Sequence, residues 1–133
     1  MTGMFFRYNP GVKSKIEDKV KEQILQIEGT VLYEPEGLKY EVPATIHTYW
    51  PDFRLKNGIY IECKDAFTSK DRKKHLWFRA TNPNIDVRFV FSNPNRKTVS
   101  DSGKSNKHET NASWCTSHDF LYAKGKIPRE WFV

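Results

Sequence analysis

Cysteine is scarce in this chain: Cys63 and Cys115 are the only two among 133 residues, and they share no paired spacing. A disulfide framework needs more sulfur than this, so free thiols in a reducing cytoplasm are expected. His108, Cys115 and His118 lack the regular intervals of a zinc site. Long apolar runs are missing, and so is a leader-like apolar segment, which gives the expectation of a cytoplasmic protein with no membrane partner. Internal repeats are absent. Acidic residues fall short of basic ones, 16 against 22, which leaves a formal charge of +6 and a pI near 9.3. That excess favours a polyanionic partner, nucleic acid first, although an acidic membrane surface answers to the same charge. At this length the chain is one domain, or one protomer, with a single modest core.

What is present concentrates between Pro51 and Lys64. Runs rich in β-branched and aromatic residues flank Lys56-Asn57-Gly58, and Gly after Asn marks a tight reversal, so a β-hairpin is predicted. A two-residue loop would set Phe53 opposite Glu62 and Leu55 opposite Tyr60, mixing the faces. A three-residue loop with Gly58 left-handed pairs Leu55 with Ile59 and Phe53 with Ile61, which collects the apolar side chains on one face. The second register is the expected one. It places Asp52 across from Glu62 on the other face, Cβ atoms about 5 Å apart, with Lys64 next along that face.

Two carboxylates so opposed destabilise a strand pair and drive one pKa upward unless a cation lies between them. Mg²⁺ prefers carboxylate oxygens, water and substrate phosphates, and suits two acids on rigid strands. Lys64 would then orient or deprotonate a water, or offset charge on a phosphate. The plain alternative is an edge hairpin with solvated charges, in which Lys64 merely neutralises Glu62. Spacing alone leaves both open.

Pro51-Asp52, nine residues, then Glu62-x-Lys64 resembles the PD-(D/E)xK signature of restriction-endonuclease-like nucleases. The likeness is wider than that motif. Ile16-Glu17-Asp18-Lys19-Val20, Val42-Pro43-Ala44, His47-Thr48-Tyr49, Asn57-Gly58-Ile59, Asp71 to Leu76, Arg88 to Ser92 and Ile127 to Trp131 come in an order that resembles the phage endonuclease I family, Holliday-junction resolvases of T-odd phages. The resemblance implies an α/β fold, a restriction-endonuclease-like mixed sheet flanked by helices, in a domain-swapped homodimer. It implies Mg²⁺-dependent hydrolysis of branched DNA, chiefly the four-way junction, with two ions per active site and Mn²⁺ able to substitute. Asp52 would bridge the ions, Glu62 and the backbone carbonyl of Cys63 would hold one, and Glu17 the other. Lys64 would position the water. Cys63 between Glu62 and Lys64 departs from the family pattern, which matters little if only its backbone is a ligand.

In chain order, residues 1–13 mix Phe5, Phe6, Arg7, Tyr8 and Lys13 without a period and are predicted to form a mobile arm able to touch DNA or merely fray. By the same resemblance, residues 14–133 are expected to form a single nuclease domain. Ser14 to Glu28 reads as a helix with Ile16, Val20, Ile24 and Ile27 as its apolar stripe, and Lys15 in its first turn. Glu17 three residues after Ser14 completes a capping box, the ordinary explanation of that residue; the resemblance makes it a metal ligand instead. Thr30–Tyr33 and Leu38–Val42 read as strands around a turn at residues 34–37. By resemblance, 14–42 is the exchanged piece, 43–50 the bridge and 51–133 the catalytic core.

A second helix is expected from Thr68 or Ser69 to about Ala80, burying Leu76, Trp77 and Ala80. Lys70, Arg72, Lys73 and Lys74 crowd its start against the helix dipole, a penalty that a bound phosphate reverses and a solvated face balanced by Asp71 also explains. Ile85–Phe91 is the most strand-like run and is expected to be central and parallel to its neighbour. Residues 96–109, with Lys104 and Lys107, read as a basic flexible loop for a second DNA arm. A short helix at 111–118, a strand at 120–123 and a turn of helix opened by Pro128 close the chain. The rival functions are another nuclease of the same fold, acting on mismatches or a sequence, and a non-catalytic nucleic-acid-binding module.

Overall fold

The computed structural model describes residues 4–5, 15–42 and 45–133. The expectations for Arg7, Lys13, Ser14 and the Pro43-Ala44 bridge lie outside the described residues. In chain order the elements are β1 (Met4–Phe5), α1 (Lys15–Glu28), β2 (Val31–Leu32), β3 (Leu38–Val42), β4 (Thr45–Tyr49), β5 (Phe53–Arg54), β6 (Tyr60–Lys64), α2 (Ser69–Thr81), β7 (Val87–Phe91), β8 (Lys97–Val99), β9 (Ser105–Thr110), α3 (Asn111–Ser117), β10 (Tyr122–Lys124) and a 3₁₀ turn at Arg129–Phe132.

The central sheet runs β10-β7-β6-β5, with β5 antiparallel to β6 and the remaining pairs parallel. The hairpin takes the three-residue loop: Phe53 pairs with Ile61, Leu55 N–H donates to the Ile59 carbonyl at 2.8 Å, and Gly58 has φ +94°. Glycine alone reaches that φ at no steric cost. Because side chains alternate across a strand, consecutive residues feed opposite cores. Ile61, Cys63 and Val90 pack with Phe53 and Leu55 under Ile16, Val20 and Ile24 of α1, closed by Ile127 and Trp131. Phe89 and Phe91 face the other way, against Phe67, Trp114, Cys115 and Phe120. The result is a mixed sheet flanked by helices.

Thr68 caps α2 in a reciprocal box with Asp71: Thr68 Oγ1 accepts from Asp71 N–H at 3.1 Å and the Asp71 carboxylate accepts from Thr68 N–H at 3.3 Å. The buried face of α2 differs from expectation. His75 and Phe78 point inward, Leu76 is half-buried, and Trp77 and Ala80 are exposed. Tyr40 and Tyr49 explain the rotation, because their rings meet Phe78 edge-on at 6.2 and 5.0 Å and need an aromatic partner at that position.

Leu38–Val42 is a strand with the expected bounds and pairs antiparallel with β4. Two other local expectations are corrected. The β2 strand pairs parallel with β1, so Met4–Phe5 is a strand within the segment expected to be an arm. Residues 96–109 are not a loop: β8 and β9 form an antiparallel pair anchored by Val99 N–H on the Phe67 carbonyl and by Lys70 N–H on Asp101 at 2.7 Å. Thr98, fully buried, donates to Glu109 and accepts from Asn106, so side chains that read as loop residues satisfy one another inside the hairpin.

Candidate active site

The hairpin register fixes the first two acids. Asp52 precedes β5 and Glu62 sits at the middle of β6, and the observed pairing puts them across from each other. Asp52 Oδ2 accepts from the Cys63 N–H at 2.9 Å. Glu62 is 4% exposed; its Oε1 accepts from the Tyr49 hydroxyl at 2.5 Å and its Oε2 lies 3.6 Å from Lys64 Nζ. Lys64 Nζ is shared with Asp71 Oδ1 at 3.1 Å, so the carboxylate that caps α2 also seats the site's ammonium.

Glu17 arrives from α1. Tyr33 bridges Phe53 and the Glu34 N–H donates to the Asp52 carbonyl at 2.9 Å, which runs this segment along the edge of the hairpin. From there the Tyr33 hydroxyl donates to Glu17 Oε1 at 2.5 Å. The structure therefore brings Glu17, Asp52, Glu62 and Lys64 into one electrostatic neighbourhood, with every contact made inside a single chain.

That neighbourhood is strained by charge. Burial pushes the Asp52 carboxyl well above its ordinary range, and the nearby Glu62 and Glu17 carboxylates push it further, against the Cys63 N–H and Lys64. For Lys64, burial disfavours the ammonium, but Glu62 and Asp71 outweigh it and hold the pKa above the usual lysine value. With those acids as its neighbours Lys64 carries a positive charge. Burial, then Glu62, raises the Tyr49 phenol, and burial, then Glu17, raises that of Tyr33, so both remain neutral donors. Burial and the surrounding acids also raise the Cys63 thiol, whose side chain belongs to the core under α1.

Among the described residues, no group of three or more His, Cys, Asp or Glu is disposed to hold a metal ion with the side chains as they stand. Each acid is turned onto a donor of the protein itself. The donor chemistry nevertheless fits a hard divalent ion: Asp52 and Glu62 both act on the Lys64 ammonium, which Asp71 also claims, the Glu17 carboxylate lies close enough to act on Asp52, and these side chains offer oxygen alone.

The basic residues divide. Lys15, Lys70, Lys73, Lys104 and Lys107 are exposed. Lys74 is half-buried with its Nζ 5.2 Å over the Tyr49 ring. Arg72 does not present itself to a phosphate; its guanidinium donates to the carbonyls of Phe67 and Val99 and approaches Glu109 at 3.8 Å, tying α2 to the β8–β9 hairpin. Arg7 and Lys13 lie outside the described residues.

Sequence reasoning missed Tyr33, Tyr49 and Asp71 as members of the site. The available signal was weak: a tyrosine buried in an otherwise aromatic cluster needs an acceptor, and a carboxylate three residues beyond a helix cap has a second oxygen to spend.

The family model of phage endonuclease I matches residues 5–133. The chain is 40% identical over 119 residues to Endonuclease I of Escherichia phage T7, covering 90% of this chain and 76% of that one. It is 41% identical over 117 residues to Endodeoxyribonuclease 1 of Enterobacteria phage T3, covering 87% and 73%.

Proposed function

The chain belongs to the phage endonuclease I family, and from that premise we propose that this DNA endonuclease resolves four-way and other branched junctions by Mg²⁺-dependent hydrolysis of phosphodiester bonds. The observation that carries the reading is the gathering of Glu17, Asp52, Glu62 and Lys64, supplied by three separate elements, around Asp52. Glu17, Asp52, Glu62 and the Cys63 carbonyl would hold the metal. Bound there, Mg²⁺ supplies Lewis acidity toward the scissile phosphate and neutralises the charge that three acids would otherwise turn against DNA.

The chain's own residues do the rest. Lys64, kept protonated by Glu62 and Asp71, offsets charge that grows on the phosphate as water adds to phosphorus and the bond to the 3′ oxygen breaks. Buried surroundings make that single charge count for more than it does in water. Exposed Lys70 and Lys73 beside the site, and Lys104 and Lys107 on the β8–β9 hairpin, offer backbone contacts that read shape and charge instead of base edges. The setting is the host cell cytoplasm.

A homodimer with exchanged α1 segments is part of the reading, since two centres in one particle can cut opposite strands. The α1 contacts with Phe53, Ile61 and Cys63 are intramolecular here; an exchanged pair makes the same contacts between chains. Refolding Glu17→Ala chains mixed with Glu62→Ala chains tests it: sites shared between protomers regain one working centre, and sites within one chain regain none. The substrate is tested by cutting a four-way junction and a plain duplex of the same sequence with Mg²⁺. The junction should be cut far faster, and equal rates would end the resolvase reading. Asp52→Asn should keep junction binding and lose cutting. Ca²⁺ should support binding alone.

A further inference from the structure

We infer that Tyr49, with Tyr33 as its counterpart on Glu17, is a positioning residue that occupies one oxygen of Glu62, leaves only the Lys64-facing oxygen for an ion and thereby sets the preference for a small divalent ion. The inference rests on the metal-dependent reading above and names a determinant of its ion choice.

Glu62 is nearly enclosed, and one of its oxygens is claimed by a phenol at 2.5 Å. That phenol has little freedom. Tyr49 is 1% exposed, its ring is 5.0 Å from both His75 and Phe78, edge-on to each, and Lys74 Nζ covers it at 5.2 Å. It also comes from β4, outside the hairpin that carries Asp52 and Glu62, so it acts as a strut between two sheets. The same arrangement recurs twice. Tyr33 takes Oε1 of Glu17, and the Cys63 N–H takes Oδ2 of Asp52.

The three donors are all neutral. Lys64 Nζ already lies 3.6 Å from the other Glu62 oxygen; a second cation in place of the phenol would cancel the carboxylate's charge, whereas a hydroxyl fixes direction without adding positive charge. Occupying one oxygen of Glu62 makes a two-oxygen grip on an ion unfavourable. Ca²⁺ accepts one- or two-oxygen carboxylate ligation at 2.3–2.6 Å, while Mg²⁺ demands a near-octahedral set at 2.0–2.1 Å. Single-oxygen ligands on rigid supports therefore favour the smaller ion, and Mn²⁺ can stand in for it. Partners that orient a ligand in this way typically change metal affinity by about 10–100-fold when removed.

The test uses Tyr49→Phe and Tyr33→Phe, titrated calorimetrically with Mn²⁺ and with Ca²⁺ in the absence of DNA. Loss of the Tyr49 hydroxyl should weaken Mn²⁺ binding by about tenfold or more and weaken Ca²⁺ less, so the Mn²⁺ to Ca²⁺ affinity ratio falls. The Mn²⁺ concentration that half-saturates cutting should rise in step. An unchanged ratio, whether both affinities hold or both drop equally, overturns the inference. If Tyr49→Phe does not fold, Tyr33→Phe is read by the same ratio. Wild-type protein that takes up no Mn²⁺ and cuts no junction would instead bring down the functional reading on which the inference stands.

Discussion

Asp52→Asn should make the metal-free protein more stable while it abolishes cutting. Asp52 and Glu62 face each other across the β5–β6 hairpin, both are withdrawn from water, and the Glu17 carboxylate also acts on Asp52. Unit charges about 5 Å apart at an effective dielectric near 20 repel by about 3 kcal/mol. The attraction of Lys64 for Asp52 and the Cys63 N–H on Asp52 take back part of this, leaving about 1–2 kcal/mol. Asparagine keeps an oxygen for the Cys63 N–H, so the substitution removes charge without removing the hydrogen bond. With an unfolding entropy of about 2.1 cal/mol/K per residue, that gain raises Tm by about 4–7 °C. Thermal unfolding followed by circular dichroism, in chelator at pH 7.5, measures it. The same scans in excess Mg²⁺ should close the gap, since an ion that binds only the folded wild type stabilises it by mass action. A variant that melts below wild type in chelator would refute the claim that the acids repel one another in the folded chain.

The other expectations concern the support of the site. His75 is buried, its Nε2 lacks a partner, and burial, then Lys74 and Lys64, pushes its pKa well below the usual value; Tyr49, Phe67 and Phe89 surround it. The unfolded chain therefore binds the proton better, so the stability tied to His75 is intact above the unfolded value near 6.5 and falls as pH drops below it, by about 1.4 kcal/mol at pH 5.5. Urea melts at pH 7.5 and 5.5 should show that loss in wild type and a smaller one in His75→Leu. Arg72→Ala should cost about 1–3 kcal/mol by stripping two inward carbonyls of their donor. Yet it should leave the salt dependence of junction binding unchanged. Lys70→Ala with Lys73→Ala should do the reverse, melting within about 0.5 kcal/mol of wild type while flattening the slope of log affinity against log salt by up to about two. Gly37→Ala should destabilise by about 1–3 kcal/mol, because its Cβ would stand 2.5 Å from Thr48 Cγ2 and 2.9 Å from the Trp50 ring.

The parts of this molecule that were legible beforehand are those where a local pattern had one consistent solution. Sorting Phe53, Leu55, Ile59 and Ile61 onto one face admitted a single hairpin register, and the facing of Asp52 and Glu62 followed without tertiary information. The central parallel placement of β7 followed in the same way, from a helix long enough to cross over between two apolar strands. Elsewhere the decision lay in distant partners. Leu38–Val42 reads as a strand but names no partner, and its pairing with β4 goes with burying Tyr40 and Tyr49 against Phe78. Residues 96–109 are polar enough to read as loop, but Thr98 bonds to both Asn106 and Glu109 within the β8–β9 pair. The tyrosines that hold Glu17 and Glu62 come from β4 and from the bridge beside β5, at positions where sequence distance carries no information about which carboxylate they meet.

Asp71 both caps α2 and seats Lys64, so the position of that amine depends on the first turn of the helix. A substitution at Thr68, outside the hairpin that carries Asp52 and Glu62, would loosen Lys64 by fraying the cap, and the neighbourhood of Asp52 is sensitive to helix stability one element away.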